Sequence, residues 1–135
     1  MFNTGFIKFM DYNDQYGHLT PIEAQKDVPF EIKRVYYISK VNPDVTRGYH
    51  SHKKLHQVLI CLNGSVKIRL KNPNEEVVYE LNDQSVGLYI GPMIWREMFD
   101  FSEGSVLLVL ASDHYDEEDY IRNYDFYLKD AKLLF

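Results

Sequence analysis

The sequence predicts an all-β domain closed into a sandwich or barrel, ending in one short helix. Three observations predict it. Apolar, β-branched and aromatic residues fall in short runs, turn signals of Gly, Pro, Asn and Asp recur about every ten residues, and only the C-terminal segment carries apolar residues at helical spacing. The chain has 135 residues, is 45% hydrophobic and includes 11 Tyr and 8 Phe. That is enough apolar material to build a core without staples, and it excludes a disordered chain. No Pro/Gly/Ser-rich linker divides it, so a single domain over residues 1–135 is expected.

Taken in order, residues 6–9 read as a short strand, and the polar stretch 11–18 as a turn with Gly17 available for positive φ. Residues 19–22 contain Pro21 and read as a short edge strand. Residues 30–38 alternate apolar with charged side chains, the pattern of a half-buried strand, and Asn42-Pro43-Asp44 is a turn. Residues 47–52 read as an extended strand, and residues 58–62 as a strand buried on both faces. Asn63-Gly64 then gives the strongest short-range hairpin signal, with 65–70 as the return strand. Residues 72–75 turn into a strand at 77–81, residues 86–92 and 94–99 flank a Gly91-Pro92 corner, and 105–110 is a core strand. The acidic run Asp116-Glu117-Glu118-Asp119 suits the positive end of a helix carrying Tyr120, Ile121, Tyr124, Leu128 and Ala131, with Lys129 and Lys132 late.

Composition excludes several functions. A net charge of −5 without a basic stripe argues against a nucleic-acid surface. No stretch approaches the apolar length of a membrane span, and the first residues lack the pattern of a secretory signal, so a cytoplasmic protein without membrane contact is expected. The one cysteine, Cys61, lies inside the buried strand at 58–62 and reads as a structural thiol.

Three of the five histidines fall between residues 47 and 64. On one extended strand, His50 and His52 point to the same face, which is how paired proton-transfer groups or metal ligands are made. Arg47, Gln57, Arg96 and Glu97 accompany them in the segments expected to surround that face, and the combination points to a site. Nearby cations, Arg34, Arg47, Lys53 and Lys54, suit an anionic ligand such as a diphosphate. Tyr37 and Tyr36 are placed to line a pocket or stack on a planar ring.

His50-x-His52, four residues, Gln57, six residues and Gly64 resemble the first motif of the cupin superfamily, Gly-x5-His-x-His-x3-4-Glu-x6-Gly. The second motif is approximated by residues 87–97, with Pro92 in place, Ile94 where glycine is usual, and Glu97 where the third histidine ligand is usual. The resemblance implies a cupin jelly roll, or double-stranded β-helix. Metal cupins offer three histidines and a glutamate. His50, His52, Gln57 and Glu97 here lack the third imidazole and one carboxylate, so no metal is expected.

Four longer segments, residues 47–54, 86–92, 95–98 and 110–117, are similar to the dTDP-4-keto-6-deoxyglucose 3,4-ketoisomerases, small cupins of deoxyaminosugar biosynthesis. The resemblance implies a cofactor-free enzyme, a homodimer exchanging N-terminal strands, a dTDP-linked keto sugar as substrate, and His52 and His50 as the catalytic pair. His52 is expected as the essential base with His50 as its partner. Tyr16 and Arg96 resemble the branch of that family giving the gluco product, where the galacto branch has Arg and His. Moving a ketone from C4 to C3 needs a base that takes and returns protons near neutral pH, which histidine does with little tuning. A 3,5-epimerase on the same scaffold, a non-catalytic sugar sensor and a metal-dependent oxygenase are the rival readings.

Overall fold

The structure, a computed structural model, describes residues 1–135. In chain order its strands are β1 (Thr4–Lys8), β2 (Tyr12–Asp14), β3 (Gly17–Leu19), β4 (Arg34–Ser39), β5 (Arg47–His52), β6 (Gln57–Asn63), β7 (Val66–Lys71), β8 (Glu76–Leu81), β9 (Val86–Ile90), β10 (Trp95–Phe99), β11 (Val106–Ala111) and β12 (Tyr120–Ile121), followed by helix α1 (Tyr124–Ala131). Two five-stranded antiparallel sheets face each other, one ordered β1-β9-β6-β11-β4 and the other β12-β5-β10-β7-β8. This is the expected jelly roll. The hairpin β2-β3 stands apart from both sheets.

Period-2 alternation explains the layers. On β7, Val66, Ile68 and Leu70 are fully buried while Lys67, Arg69 and Lys71 face outward. Those inward residues meet Leu59, Leu88, Ile90, Leu107 and Val109 of the opposite sheet in the main core. Strand β6 is buried on both sides because Val58 and Ile60 turn the other way, into a second cluster with Phe9, Val28, Phe30 and Leu110. Residues 20–33 cover that outer face. Helix α1 covers the other sheet, with Tyr127 and Ala131 packed on Trp95 and Ile121. The Tyr127 hydroxyl donates to the carbonyl of Met93 at 2.9 Å. No helix is long and apolar enough to cross a membrane.

Four expectations change. Residues 19–22 do not form an edge strand, because pairing ends at Leu19 with the short β2-β3 hairpin. The strand expected over 30–38 pairs only from Arg34; the alternation of burial continues back through Ile32 and Phe30, but these pack in the second cluster while Tyr36 and Ile38 pack on the main core. Asn63-Gly64 is not a hairpin: β6 pairs with β9 and β11, and β7 with β8 and β10, so the dipeptide carries the chain from one sheet to the other. Gly64 has φ +72°, and a Cβ there would lie 2.2 Å from the Ser102 hydroxyl. The same freedom that suits a hairpin turn suits this crossing. Finally, the acidic run does not start the helix. It forms a 3₁₀ turn over Glu117–Asp119, capped by Asp116, after which Tyr120 and Ile121 pair with His52 and Ser51 of β5.

Candidate active site

Strand β5 holds the centre of the site, and a β-bulge sets its geometry. Arg96 of β10 stands opposite His50 and Glu97 opposite Gly48, which leaves Tyr49 as an extra residue. Gly48 and Tyr49 take φ +96° and +52° to make it. In an unbulged strand Arg47 and His50 would point to opposite faces. The bulge shifts the phase by one, so both now line the same open cavity of about 440 Å³. Arg34, Tyr36, Tyr37, Tyr115, Tyr120 and Arg122 complete most of its wall.

His50 and His52 share the inward face as expected, their ring centroids 4.9 Å apart and nearly perpendicular. Tyr120 lies against both, at 5.0 Å from His50 and 4.3 Å from His52. The two imidazoles differ in what they touch. His50 Nδ1 donates to the Gly48 carbonyl at 3.0 Å, which leaves Nε2 with the free lone pair of a ring that lines the large cavity. His52 Nδ1 donates to the Asp119 carboxylate at 3.2 Å, and its Nε2 is buried without a partner. His52 instead borders a smaller polar cavity of about 190 Å³, which shares Arg34 and Tyr120 with the first.

Burial, reinforced by the Arg96 guanidinium, lowers the His50 imidazole from 6.5 to about 4. The same two causes push His52 still further down, so the His52–Asp119 contact is a hydrogen bond of a neutral ring, not an ion pair. Both rings are therefore unprotonated at neutral pH.

Arg96 is 1% exposed. Its Nη1 donates to Gln57 Oε1 at 2.5 Å and its Nη2 to the Ile94 carbonyl at 3.0 Å. Gln57 in turn donates to the Tyr36 hydroxyl at 3.0 Å. Burial lowers the guanidinium to about 10, which still leaves it charged. A fixed buried cation thus stands beside the histidines. Arg34 lies over the Tyr36 and Tyr115 rings, 5.2 and 5.7 Å from their centroids. Glu117 accepts two hydrogen bonds from Arg122, at 2.7 and 2.9 Å, fixing that guanidinium on the rim.

Of the residues singled out in the sequence, the structure brings together His50, His52, Arg34, Tyr36, Tyr37, Arg47, Lys54, Gln57 and Arg96. Three lie elsewhere. Glu97 follows Arg96 on β10 and so faces the opposite side of its sheet, where it accepts from Trp95 Nε1 and Arg69 Nη1, both at 3.0 Å. Burial raises its carboxyl, but those hydrogen bonds outweigh burial and hold it below its ordinary value. Lys53 borders a separate groove with Asn123 and Lys129. Tyr16, at the tip of the β2-β3 hairpin, is 87% exposed and touches neither histidine cavity. Sequence reasoning passed over Asp119, Tyr120 and Arg122, which arrive through the β12-β5 pairing. The local signal for them was hidden in what reads as a helix start.

Comparisons with known proteins place the chain in a family. A family described as FdtA: WxcM-like, C-terminal matches residues 2–132. A TDP-4-oxo-6-deoxy-alpha-D-glucose-3,4-oxoisomerase of Aneurinibacillus thermoaerophilus is 51% identical over 123 residues, 91% of this chain and 88% of that one. The crystal structure of the sugar 3,4-ketoisomerase QdtA from Thermoanaerobacterium thermosaccharolyticum in complex with TDP is 73% identical with a TM-score of 0.99, covering 100% of this chain and 98% of that one. Two variants of QdtA superpose equally well, each with a TM-score of 0.99 and 72% identity over the same shares of both chains. One has a histidine replaced by asparagine and is in complex with TDP-4-keto-6-deoxyglucose. The other has tyrosine replaced by arginine and arginine by histidine, and is in complex with TDP. The chain belongs to the WxcM-like FdtA family of 3,4-ketoisomerases.

Proposed function

We propose that this chain is a sugar-nucleotide 3,4-ketoisomerase that converts TDP-4-keto-6-deoxyglucose to its 3-keto isomer through an enediolate. The observation that carries the reading is a neutral His50 on an arginine-edged cavity, beside a buried, charged Arg96. His50 Nε2 removes the C3 proton, the electron pair moves into the C3–C4 bond, and the C4 carbonyl oxygen takes the negative charge. Fixed cations aimed at that oxygen stabilise it. With the 3-hydroxyl proton passed to the C4 oxygen, returning a proton to C4 leaves the ketone at C3. Because the reaction is an internal redistribution of protons and electrons, it requires no redox cofactor, and His50, His52 and Gln57 make a poor metal set.

His50 replaces His52 as the leading base in this reading, since His50 lines the large arginine-edged cavity and His52 does not. The QdtA variants support the choice. The tyrosine, histidine and arginine substituted there stand in the same order and at the same spacing as Tyr16, His50 and Arg96 here. Arg34, Arg47 and Arg122 hold the diphosphate, and Tyr37 and Tyr115 flank the nucleobase.

The protein works as one domain in a homodimer. Phe2, Phe6, Met10, Tyr12, Tyr16 and Leu19 of the N-terminal segment are each more than half exposed, which suits a surface covered by a second copy. Exchange of that segment carries Tyr16 to the partner's cavity. A nucleotide-linked substrate suits a cytoplasmic site of action. Arg96 and Tyr16 together match the branch that gives gluco configuration at C4.

Incubation with TDP-4-keto-6-deoxyglucose, followed by proton NMR, tests the reading. A 3-keto product with a large H4–H5 coupling is expected, undiminished by exhaustive chelation. Recovery of unchanged substrate, or of a sugar epimerised at C3 and C5, would overturn it.

A further inference from the structure

Asp119 ends the 3₁₀ turn that leads into β12, and the pairing of Tyr120 with His52 brings its carboxylate against β5. The carboxylate accepts from three donors: the Lys54 amide at 2.9 Å, the Leu55 amide at 3.3 Å and His52 Nδ1 at 3.2 Å. An ionised carboxylate only accepts, so Nδ1 must carry the ring proton and Nε2 the lone pair. His52 is 1% exposed, and that Nε2 has no partner in the protein. Arg96 Nε, a donor on the strand opposite His50, is also buried and unpartnered. Each is a buried polar atom that an oxygen of a water or of the sugar can satisfy.

We propose that Asp119 is a positioning residue of the isomerase site: it locks His52 in the Nδ1–H tautomer, so that Nε2 receives a hydrogen bond in the interior and cannot give one. The inference rests on the ketoisomerase reading and deepens it. The reaction moves two protons, one from C3 to C4 and one from the 3-hydroxyl to the oxygen on C4. His50 takes the carbon-bound proton. An adjacent lone pair of fixed direction orients the hydroxyl or water that relays the oxygen-bound one, and a reversed tautomer would present N–H where that relay needs an acceptor. Asp119 does not touch the substrate; it acts through His52.

Asp119→Asn tests this. Its side-chain oxygen still accepts the Lys54 amide in the place of Oδ1, while its N–H₂, in the place of the Oδ2 that the Leu55 amide and His52 Nδ1 share, loses the Leu55 bond and can donate to His52 Nδ1 and drive the ring proton to Nε2. Nitrogen-15 NMR of histidine-labelled protein reads the tautomer directly. The wild type should show His52 protonated at Nδ1, and Asp119→Asn should show it protonated at Nε2, with kcat lower by ~10²-fold or more and KM changed by less than ~3-fold. Asp119→Glu keeps the carboxylate and should hold the Nδ1–H tautomer with at least ~10-fold higher kcat than Asp119→Asn. A wild-type His52 protonated at Nε2 overturns the proposal without any variant. So does an Asp119→Asn enzyme with a reversed tautomer and wild-type kcat. Absence of wild-type turnover with the Nδ1–H tautomer present would instead overturn the ketoisomerase reading.

Discussion

Replacing Gly48 by alanine attacks the bulge that puts Arg47 and His50 on one cavity. Gly48 sits at φ +96°, and an added Cβ would lie 3.0 Å from the Arg96 carbonyl oxygen, 3.3 Å from Glu97 Cα and 3.4 Å from Met98 Cε. The first two are backbone atoms of the central strand β10, which cannot move cheaply. Left-handed backbone at a residue with a Cβ costs ~1–2 kcal/mol, and the tight contacts bring the expected loss to ~2–3 kcal/mol. Relaxation does not rescue activity. If the chain escapes by undoing the bulge, Arg47 swings to the other face and His50 loses the Gly48 carbonyl that fixes its tautomer. A misplacement of ~1 Å is enough to lower turnover ~10²-fold. Urea denaturation and turnover of TDP-4-keto-6-deoxyglucose measure the two effects. A Gly48→Ala protein with wild-type stability and kcat would refute the claim that this bulge builds the site.

Other outcomes follow from single contacts. The folded protein holds His50 down at about 4 against 6.5 in the unfolded chain, so the unfolded state binds the proton first as pH falls. Stability is full above pH 6.5 and decreases toward pH 4, by ~3 kcal/mol from this residue, and His50→Asn should flatten that slope in urea titrations. Glu97→Gln weakens the contacts to Trp95, Arg69 and Lys71 on the face away from the cavity. It should lower stability by ~1–3 kcal/mol with kcat unchanged, and a large kcat loss would return Glu97 to the site. The double variant Tyr16→Arg with Arg96→His replaces a cation that cannot deliver a proton at neutral pH with a group that can. Its product should show the small H4–H5 coupling of galacto configuration, and a retained large coupling contradicts the branch assignment.

The sandwich of strands was legible because alternation is local: Val66, Ile68 and Leu70 point inward whatever their neighbours do, while the jelly-roll topology followed from the resemblance to the cupins. The shared face of His50 and His52 was legible for the same reason. What failed depended on partners. Asn63-Gly64 shows that a positive φ can be needed, but not whether the next strand folds back or crosses to the other sheet. Glu97 was read into the site from its place in a motif. Its cross-strand register makes Arg96 the inward residue, and the Tyr49 bulge that positions Arg47 has no local signature except Gly48. Asp119 was read as part of a helix start because consecutive carboxylates suit one. Its pairing with His52 crosses 67 positions of sequence.

The central claim is that His50 takes the proton from C3, and loss of deuterium from C3-deuterated TDP-4-keto-6-deoxyglucose in ordinary water measures that step directly. The wild type should release the label during conversion with a primary isotope effect. His50→Asn should bind TDP as tightly as the wild type yet release the label ~10²–10⁴-fold more slowly. Release of the label by His50→Asn at the wild-type rate would contradict the assignment of His50 as the base.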